Sequence, residues 1–236
     1  MGASNAPDRR MPPGKGSPVE RTSLDVTVTA SNPSRTRSIA FVGLTIAIMA
    51  VSAWVTIPLG PVPFTLQMFA VTFAIVVLTP GQAMAAIAGY LLLGAVGVPV
   101  FSGMRGGIGV LAGPTGGFLW GYLFGVAAAV ALLWLVRTRL GWGAKVVGRG
   151  VDPAAKALMT PGQRALRFAR QSGVEVLAGV LFTAIAYACG CVQYAAVAGV
   201  SVEAAFLVAC APFIVVDLCK IVAAVVCAQA VRAAVR

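Results

Sequence analysis

Two long runs without a charged side chain constrain the fold of this chain more than any other feature of its sequence. No Asp, Glu, Lys or Arg occurs from Ile39 to Met104, and again none occurs from Gly106 to Val136. A helix needs about 20 mostly apolar residues to cross the hydrocarbon core of a bilayer, so these runs are long enough for several spans. Only 11% of the residues are charged, against about a quarter in soluble domains. The sequence therefore predicts a protein that crosses a membrane several times.

Breaks in the apolar sequence divide the chain into six predicted transmembrane helices, and the predicted fold class is all-α. Pro58 ends the first helix, and Pro80-Gly81 separates the second from the third. A glycine-rich loop and a basic segment set the limits of the fourth. The six predicted helices are about Ile39–Ile57, Phe64–Leu78, Gln82–Val96, Gly117–Val136, Val174–Val192 and Val202–Val231.

The basic residues give the orientation of these helices. Six lie in residues 1–38, eight lie in residues 137–172, and Arg232 and Arg236 close the chain, which accounts for sixteen of the 18 Lys and Arg. With six helices, all three regions share one side of the membrane, and the positive-inside rule makes that side the cytoplasm. We predict a disordered cytoplasmic tail at 1–38 and a six-helix membrane domain at 39–231, with 137–172 as its cytoplasmic basic loop.

The same topology assigns the remaining links between helices. Residues 58–63, 99–115 and 193–201 are predicted to lie outside, and Pro161–Arg170 is predicted to form part of an amphipathic surface helix. A net charge of +11 would by itself suggest a nucleic-acid partner. Because the positive charge is clustered beside predicted spans, the sequence predicts a lipid bilayer and no nucleic acid as the partner.

Asp217 and Lys220 lie near the middle of the last predicted span, three residues apart. Residues at this spacing share one face of a helix. A charged side chain at mid-membrane is unfavourable by roughly 2.5–3.5 kcal/mol on insertion scales, and it commonly marks a functional site. The pair is therefore a candidate for a polar ligand pocket. The alternative is a self-neutralising pair that only ties the helix bundle together.

The glycine-rich stretch GVPVFSGMRGGIGVLAGPTGG, residues 97–117, predicts a loop that folds back into the mouth of the bundle. Many glycines permit close backbone approach, and irregular backbone at membrane depth is tolerated where it lines a cavity. The stretch lacks the GK[ST] of a P-loop. Arg105 at its tip can place a guanidinium over an anionic ligand group, or can be a solvated loop residue. Gly106 and Gly107 beside it are further candidate ligand contacts.

Cysteine and histidine usage argues against a metal site. The chain has no histidine, and its cysteines include a C-x-C pair, Cys189 and Cys191, rather than C-x-x-C. Zinc and disulfide sites are weakly indicated by this pattern, and small buried thiols that pack in the bundle explain it better. No metal and no cofactor are predicted.

Small residues in the first predicted span permit close helix approach. Gly43 and Ala47 are four residues apart, which places them on one helix face. In lipid, such small faces let another helix pack closely. This face is predicted to contact either the protein's own bundle or a partner subunit.

Four sequence stretches, in order along residues 39–231, resemble the biotin-specific substrate-binding (S) component of the energy-coupling factor (ECF) transporters. They are GPVPFTLQ, YLLLGAVGVPVF, GGIGVLAGPTGGF and PFIVVDLCK. The resemblance implies a six-helix binding protein of the bacterial cytoplasmic membrane that captures biotin from outside. It implies that Asp217 and Lys220 lie in the biotin pocket and that the loop contributes through Arg105. It also implies two kinds of partner, a membrane-embedded coupling (T) subunit and two cytoplasmic ATPases, although some family members work alone.

The chemistry of biotin fits these residues. Lys220 or Arg105 can bind the carboxylate, and Asp217 can accept a ureido N–H, both as charge-assisted hydrogen bonds. The expected apolar wall residues are Trp54, Phe64, Tyr90, Phe101 and Phe118.

Three alternatives remain open at this point. The first is an S component for another vitamin, such as thiamine or riboflavin. The second is a solitary secondary transporter. The third is an intramembrane enzyme that uses Asp217 and Lys220 as acid and base, which the missing histidine and nucleophile motifs disfavour. We therefore predict that the chain is not an enzyme.

Overall fold

A computed structural model of the chain describes Gly2 and residues 33–58, 62–139 and 160–234. The chain divides by its contacts into Met1–Asn32 and Pro33–Arg236, and the second unit contains all the elements below. Most of the predicted tail and residues 140–159 of the predicted basic loop lie outside the described residues.

The described part of the chain is mostly helical, as predicted. Four stretches are long and apolar enough to cross a membrane: Arg35–Trp54, Gly116–Arg139, Phe168–Ala198 and Val202–Ala234, with two shorter apolar helices between the first and second. The count of six spans stays a prediction. The elements are α1 (Pro33–Trp54), β1 (Thr56–Ile57), β2 (Phe64–Thr65), α2 (Gln67–Val77), α3 (Pro80–Val96), α4 (Ile108–Ala112), α5 (Gly116–Arg139), α6 (Pro161–Ala198), α7 (Val202–Ala209), a 3-10 turn (Ala211–Phe213) and α8 (Ile214–Ala234).

The link between α1 and α2 adds a short β ladder to an otherwise helical fold. Strands β1 and β2 pair antiparallel, with Thr56 opposite Thr65 and Ile57 opposite Phe64. The prolines of this link cannot donate helical hydrogen bonds, so the backbone groups at its two ends bond to each other instead. The ladder holds Phe64 and Thr65 at the start of α2, where both residues reach the candidate site.

The predicted break between the second and third helices is confirmed. Thr79 caps α3: its hydroxyl accepts the Gln82 N–H at 3.3 Å, and the Gln82 side-chain oxygen accepts the Thr79 N–H at 3.1 Å. Pro80 follows at the first helical position, where its missing N–H is no disadvantage. The capping box therefore starts a new helix directly after α2 ends.

Three helix boundaries differ from the prediction, two of them in the C-terminal half of the chain. The last span is not continuous, because Pro212 lacks the N–H that a helix requires and the chain passes through the 3-10 turn between α7 and α8. The predicted surface helix Pro161–Arg170 is not separate from the fifth span. Both belong to the 38-residue α6, since nothing between them removes a backbone hydrogen bond. At the other end of the chain, α1 begins at Pro33, inside the predicted tail.

Helices α5 and α6 pack closely because glycines on α5 leave room for the α6 backbone. A Cβ on Gly121 would lie 2.6 Å from the Ala186 Cα, and one on Gly125 would lie 2.8 Å from the Phe182 carbonyl oxygen. Such small-residue faces are typical of helix pairs in membranes. The close approach brings Tyr122 of α5 and Tyr187 of α6 into one wall of the candidate site.

The glycine-rich loop folds back onto the bundle, in agreement with the prediction. Phe101 is buried and packs edge-on against Tyr90 at a ring distance of 5.5 Å. The Phe101 N–H donates to the Arg105 carbonyl at 2.9 Å, which closes a tight turn. Gly107, with a φ of 96°, donates its N–H to the Gly94 carbonyl at 2.6 Å. These bonds fix Arg105 at the mouth of the candidate site.

A second buried ion pair, which the sequence did not single out, joins α2, α6 and α8 at the end of the bundle away from this loop. Arg232 donates to the Glu175 carboxylate at 2.7 Å and to the Val76 carbonyl at 2.6 Å. Gln171 also donates to the same carboxylate, at 3.1 Å. Glu175 is 1% exposed and Arg232 is 7% exposed. Arg232 thereby satisfies one of the carbonyls that the C-terminal end of α2 leaves without a helical partner.

Candidate functional site

The candidate site is an open pocket with about 670 Å³ of empty space, a volume that includes solvent at its mouth. Its walls come from the β2–α2 junction, the glycine-rich loop, α5, α6 and the segment from the end of α7 to α8. The lining residues are Val62, Pro63, Phe64, Thr65, Gln67, Met68, Phe101, Ser102, Arg105, Val110, Thr115, Phe118, Leu119, Tyr122, Tyr187, Ala209, Phe213, Asp217 and Lys220.

Asp217 and Lys220 lie together in the wall of this cavity. The Lys220 Nζ is 2.7 Å from the Asp217 Oδ1, and the two side chains are 9% and 5% exposed. The i, i+3 spacing on α8 produces this contact, because both side chains leave the same helix face. The two charges neutralise each other in surroundings where either alone would be strongly unfavourable.

Each member of the pair has a further partner on another element. Tyr187 donates its hydroxyl to the Asp217 Oδ2 at 2.5 Å, and Lys220 donates to the Thr65 carbonyl at 2.8 Å. The Lys220 Nζ also lies 3.6 Å from the centre of the Phe64 ring, which is a favourable position for a cation. The pair is therefore held rigidly. An ammonium carries three N–H donors and each carboxylate oxygen has two lone pairs, so both groups keep capacity for a ligand.

Arg105 lies at the cavity mouth, on the exposed turn of the glycine-rich loop. Its Nε donates to the Ser102 carbonyl at 3.1 Å, and the Ser102 hydroxyl lies 3.1 Å from that of Thr56. A guanidinium has five N–H donors, and this contact uses one. Gly106 and Gly107 follow Arg105 but do not line the cavity. A Cβ on Gly106 would lie 2.5 Å from the Val98 carbonyl oxygen, so this glycine lets the loop fold tightly.

Only three of the five residues expected in the apolar walls line the cavity. Phe64, Phe101 and Phe118 line the cavity. Tyr90 lies behind it and holds the wall: Gln67 donates to the Tyr90 hydroxyl at 2.9 Å, and that hydroxyl donates to the Val100 carbonyl at 2.8 Å. Trp54 is outside the cavity and donates its indole N–H to the Pro99 carbonyl at 2.8 Å.

Several lining residues gave no signal in the sequence. Tyr187 precedes Asp217 by 30 residues on a different helix, and neither its spacing nor its neighbours distinguish it from a packing tyrosine. Thr65 contributes only its backbone carbonyl, which any residue carries. Phe213 reaches the cavity because the 3-10 turn interrupts the last span. In the predicted continuous helix over Val202–Val231, the Phe213 side chain would point in another direction.

The arrangement suits a small amphipathic anion with an apolar body. Positive charge is present at two points, Lys220 in the wall and Arg105 at the mouth, whereas the Asp217 carboxylate provides an acceptor for N–H donors. Aromatic rings from four elements supply the apolar surface between them. Charge-assisted hydrogen bonds in such poorly hydrated surroundings are stronger than in water.

Comparison with known proteins gives one consistent family. A model of the BioY family matches residues 25–236. The biotin transporter BioY of Thermotoga maritima is 44% identical over 117 residues, which cover 49% of this chain and 69% of that protein. The biotin transporter BioY2 of Lactococcus lactis subsp. cremoris is 40% identical over 117 residues, or 50% of this chain and 58% of that protein. The probable biotin transporter BioY of Pyrococcus horikoshii is 42% identical over 85 residues, or 36% and 52%.

A solved structure shares the fold. The S-component for biotin from an ECF-type ABC transporter superimposes with a TM-score of 0.64 at 20% identity, covering 86% of this chain and 94% of that one. The two chains therefore share an overall fold.

Proposed function

The chain belongs to the BioY family, and from this we propose that it is a biotin-binding S component of an ECF transporter that captures biotin from outside the cell. It is a multi-pass membrane protein, and we place it in the bacterial cytoplasmic membrane. The observation that carries the proposal is the buried Asp217–Lys220 pair in the wall of an open pocket lined by aromatic side chains.

Biotin offers one group for each polar feature of the cavity. Its carboxylate would accept hydrogen bonds from Arg105 at the mouth or from Lys220 in the wall. Its ureido ring carries two N–H donors, of which one would donate to Asp217. Its apolar ring system and chain would lie against Phe64 and Phe118. In this arrangement Gly106 and Gly107 act on the ligand indirectly, because they shape the turn that presents Arg105.

The experiment that tests this proposal is equilibrium binding of a vitamin panel to the purified chain in detergent. We expect saturable one-to-one binding of biotin, with thiamine and riboflavin at least about 100-fold weaker, because neither presents a carboxylate to the two cations. Tighter binding of thiamine or riboflavin would assign the chain to another vitamin. Recovery of unchanged biotin after release would agree with transport, whereas a modified product would favour an enzyme.

We propose that transport is driven by partners, a membrane-embedded coupling (T) subunit and two cytoplasmic ATPases. The sequence offers no P-loop for ATP, so energy for uphill uptake has to come from another protein or from a gradient. Solitary transport is the alternative. To distinguish the two, biotin uptake would be measured in vesicles that contain this chain alone and in vesicles that contain this chain together with a coupling module.

For the six-span topology, we expect a cysteine just after α6 and a cysteine near the C-terminal end of α5 to be labelled from opposite sides of the membrane. In a background without the five native cysteines, Val200→Cys lies just after α6 and Thr138→Cys lies near the end of α5, both at exposed positions. A membrane-impermeant maleimide added to whole cells should label position 200 but not position 138. Labelling of both positions, or of position 138 alone, would contradict the topology.

For the partner surface, we expect the Gly43/Ala47 face of α1 to contact the coupling subunit. Both residues are exposed, and a Cβ on Gly43 would meet no atom of the described residues within 4 Å, so no described part of the bundle packs at this point of the face. The double variant Gly43→Leu/Ala47→Leu should keep biotin affinity within about twofold but lower co-purification of the coupling module at least about tenfold. Leu92→Ala, at an exposed position on α3, is the matched control. Normal assembly of the double variant would refute the assignment.

A further inference from the structure

Two buried thiols meet directly behind the apolar wall of the cavity. The sulfur atoms of Cys191 on α6 and Cys210 at the α7 break are 2.9 Å apart. Their residues are 4% and 0% exposed. They pack in one small cluster with Val62, Phe118, Ala209 and Phe213, all of which line the cavity.

We propose that Cys191 and Cys210 form a redox site that closes to an intramolecular disulfide and fixes the α7 break against α6. A disulfide requires an S–S distance of about 2.05 Å, so the two sulfurs need to approach by only roughly 1 Å. The bond would join the helix that carries Tyr187, one turn before Cys191, to the segment that carries Ala209 and Phe213. It would therefore connect two walls of the cavity covalently.

The chemistry is an exchange with a small disulfide oxidant such as oxidised glutathione. One cysteine thiolate attacks a sulfur of the oxidant, and the oxidant's other half leaves as a thiolate. The second cysteine thiolate then attacks the sulfur of the first, which releases the remaining half. Two cysteine thiols are oxidised, one oxidant disulfide is reduced to two thiols, and the two cysteine protons pass to the released thiolates. Ala209 beside Cys210 lines the cavity, whereas both cysteines are buried, so local opening of the α7 break has to precede the first attack.

The other cysteines are arranged differently. Cys189 is two residues from Cys191 on α6 and faces α5: a Cβ on Gly117 would lie 2.3 Å from the Cys189 carbonyl oxygen, and one on Gly121 would lie 3.2 Å from the Cys189 Cβ. Cys219 and Cys227 are exposed on α8. A matched pair of variants can therefore separate a specific site from general thiol oxidation.

The first test uses the full chain with only two cysteines kept. One variant keeps Cys191 and Cys210 (Cys189→Ser, Cys219→Ser, Cys227→Ser), and the control keeps Cys189 and Cys210 (Cys191→Ser, Cys219→Ser, Cys227→Ser). Each is treated while folded with oxidised glutathione, denatured, alkylated with N-ethylmaleimide and weighed intact. We expect the first to lose two hydrogens and take no label, and the control to carry label or glutathione. Two labels or glutathione adducts on the first variant would overturn the proposal.

The parent chain provides a second measurement that does not depend on the folding of the variants. After the same oxidation, peptide mapping under non-reducing conditions should find the Cys191–Cys210 cross-link as the main intramolecular disulfide.

The oxidised two-cysteine variant should also melt about 5–10 °C above its reduced form, and dithiothreitol should reverse the difference. A different main pairing, or equal melting temperatures of the two forms, would overturn the proposed clamp.

Discussion

In the double variant Asp217→Asn/Lys220→Met, we expect biotin affinity to fall by about two to four orders of magnitude while the protein still folds. The variant removes both charges together, so neither is left unpaired in the bundle. Loss of two charge-assisted contacts at roughly 1.5–3 kcal/mol each accounts for this change at about 1.4 kcal/mol per tenfold in the dissociation constant. Isothermal titration of the detergent-purified variant measures it.

The single variants separate the binding role from the structural one. Asp217→Asn leaves Lys220 without its counter-charge, and Lys220→Met does the same to Asp217, so each should lower stability as well as affinity. Cys219→Ser, on the exposed face of the same helix, is the matched control and should change neither. A well-folded double variant that binds biotin like the parent would show that the pair only ties α8 to Tyr187 and Thr65.

The largest effect on stability is expected at the second buried ion pair. Glu175→Gln leaves the Arg232 guanidinium without a counter-charge at a site that is almost fully buried, and breaking such a pair on one side typically lowers the free energy of unfolding by about 3–5 kcal/mol. For a chain of this size, that corresponds to a melting temperature roughly 6–20 °C lower. Thermal unfolding followed by circular dichroism in detergent measures the shift.

The double variant Glu175→Gln/Arg232→Met tests the cause of that loss. Because it removes both charges, we expect it to regain a substantial part of the lost stability, with the Val76 carbonyl as the group still lacking its partner. Glu203→Gln changes an exposed carboxylate on α7 and is the control, with an expected shift of under about 1 °C. Equal stability of Glu175→Gln and this control would contradict the structural role of the pair.

Features that act along the chain could be predicted from the sequence. The apolar runs predict helices because their length matches a bilayer, and Pro80-Gly81 predicts the break between the second and third helices because proline lacks the N–H that a continuing helix needs. Asp217 and Lys220 stand out because charge is rare in such a run and because three residues bring them to one face. Arg105 was found by the same reasoning, as the single charge in a long glycine-rich loop.

Features that depend on packing between distant elements could not be predicted. Glu175 and Arg232 are 57 residues apart, and each alone reads as a charge near the end of a span. Cys191 meets Cys210 rather than its near neighbour Cys189, because residues two apart point to different sides of a helix. The β1–β2 ladder and the 3-10 turn pair backbone groups that the neighbouring helices leave without partners, and no local sequence pattern specifies this pairing.

An experimental structure of the biotin complex would show whether biotin binds in the cavity beside Asp217 and Lys220. We expect the ligand between Phe64 and Phe118, with its carboxylate within about 3.2 Å of a nitrogen of Lys220 or Arg105 and a ureido nitrogen at a similar distance from the Asp217 carboxylate. Biotin bound elsewhere, with no contact to the Asp217–Lys220 pair, would refute the proposed site.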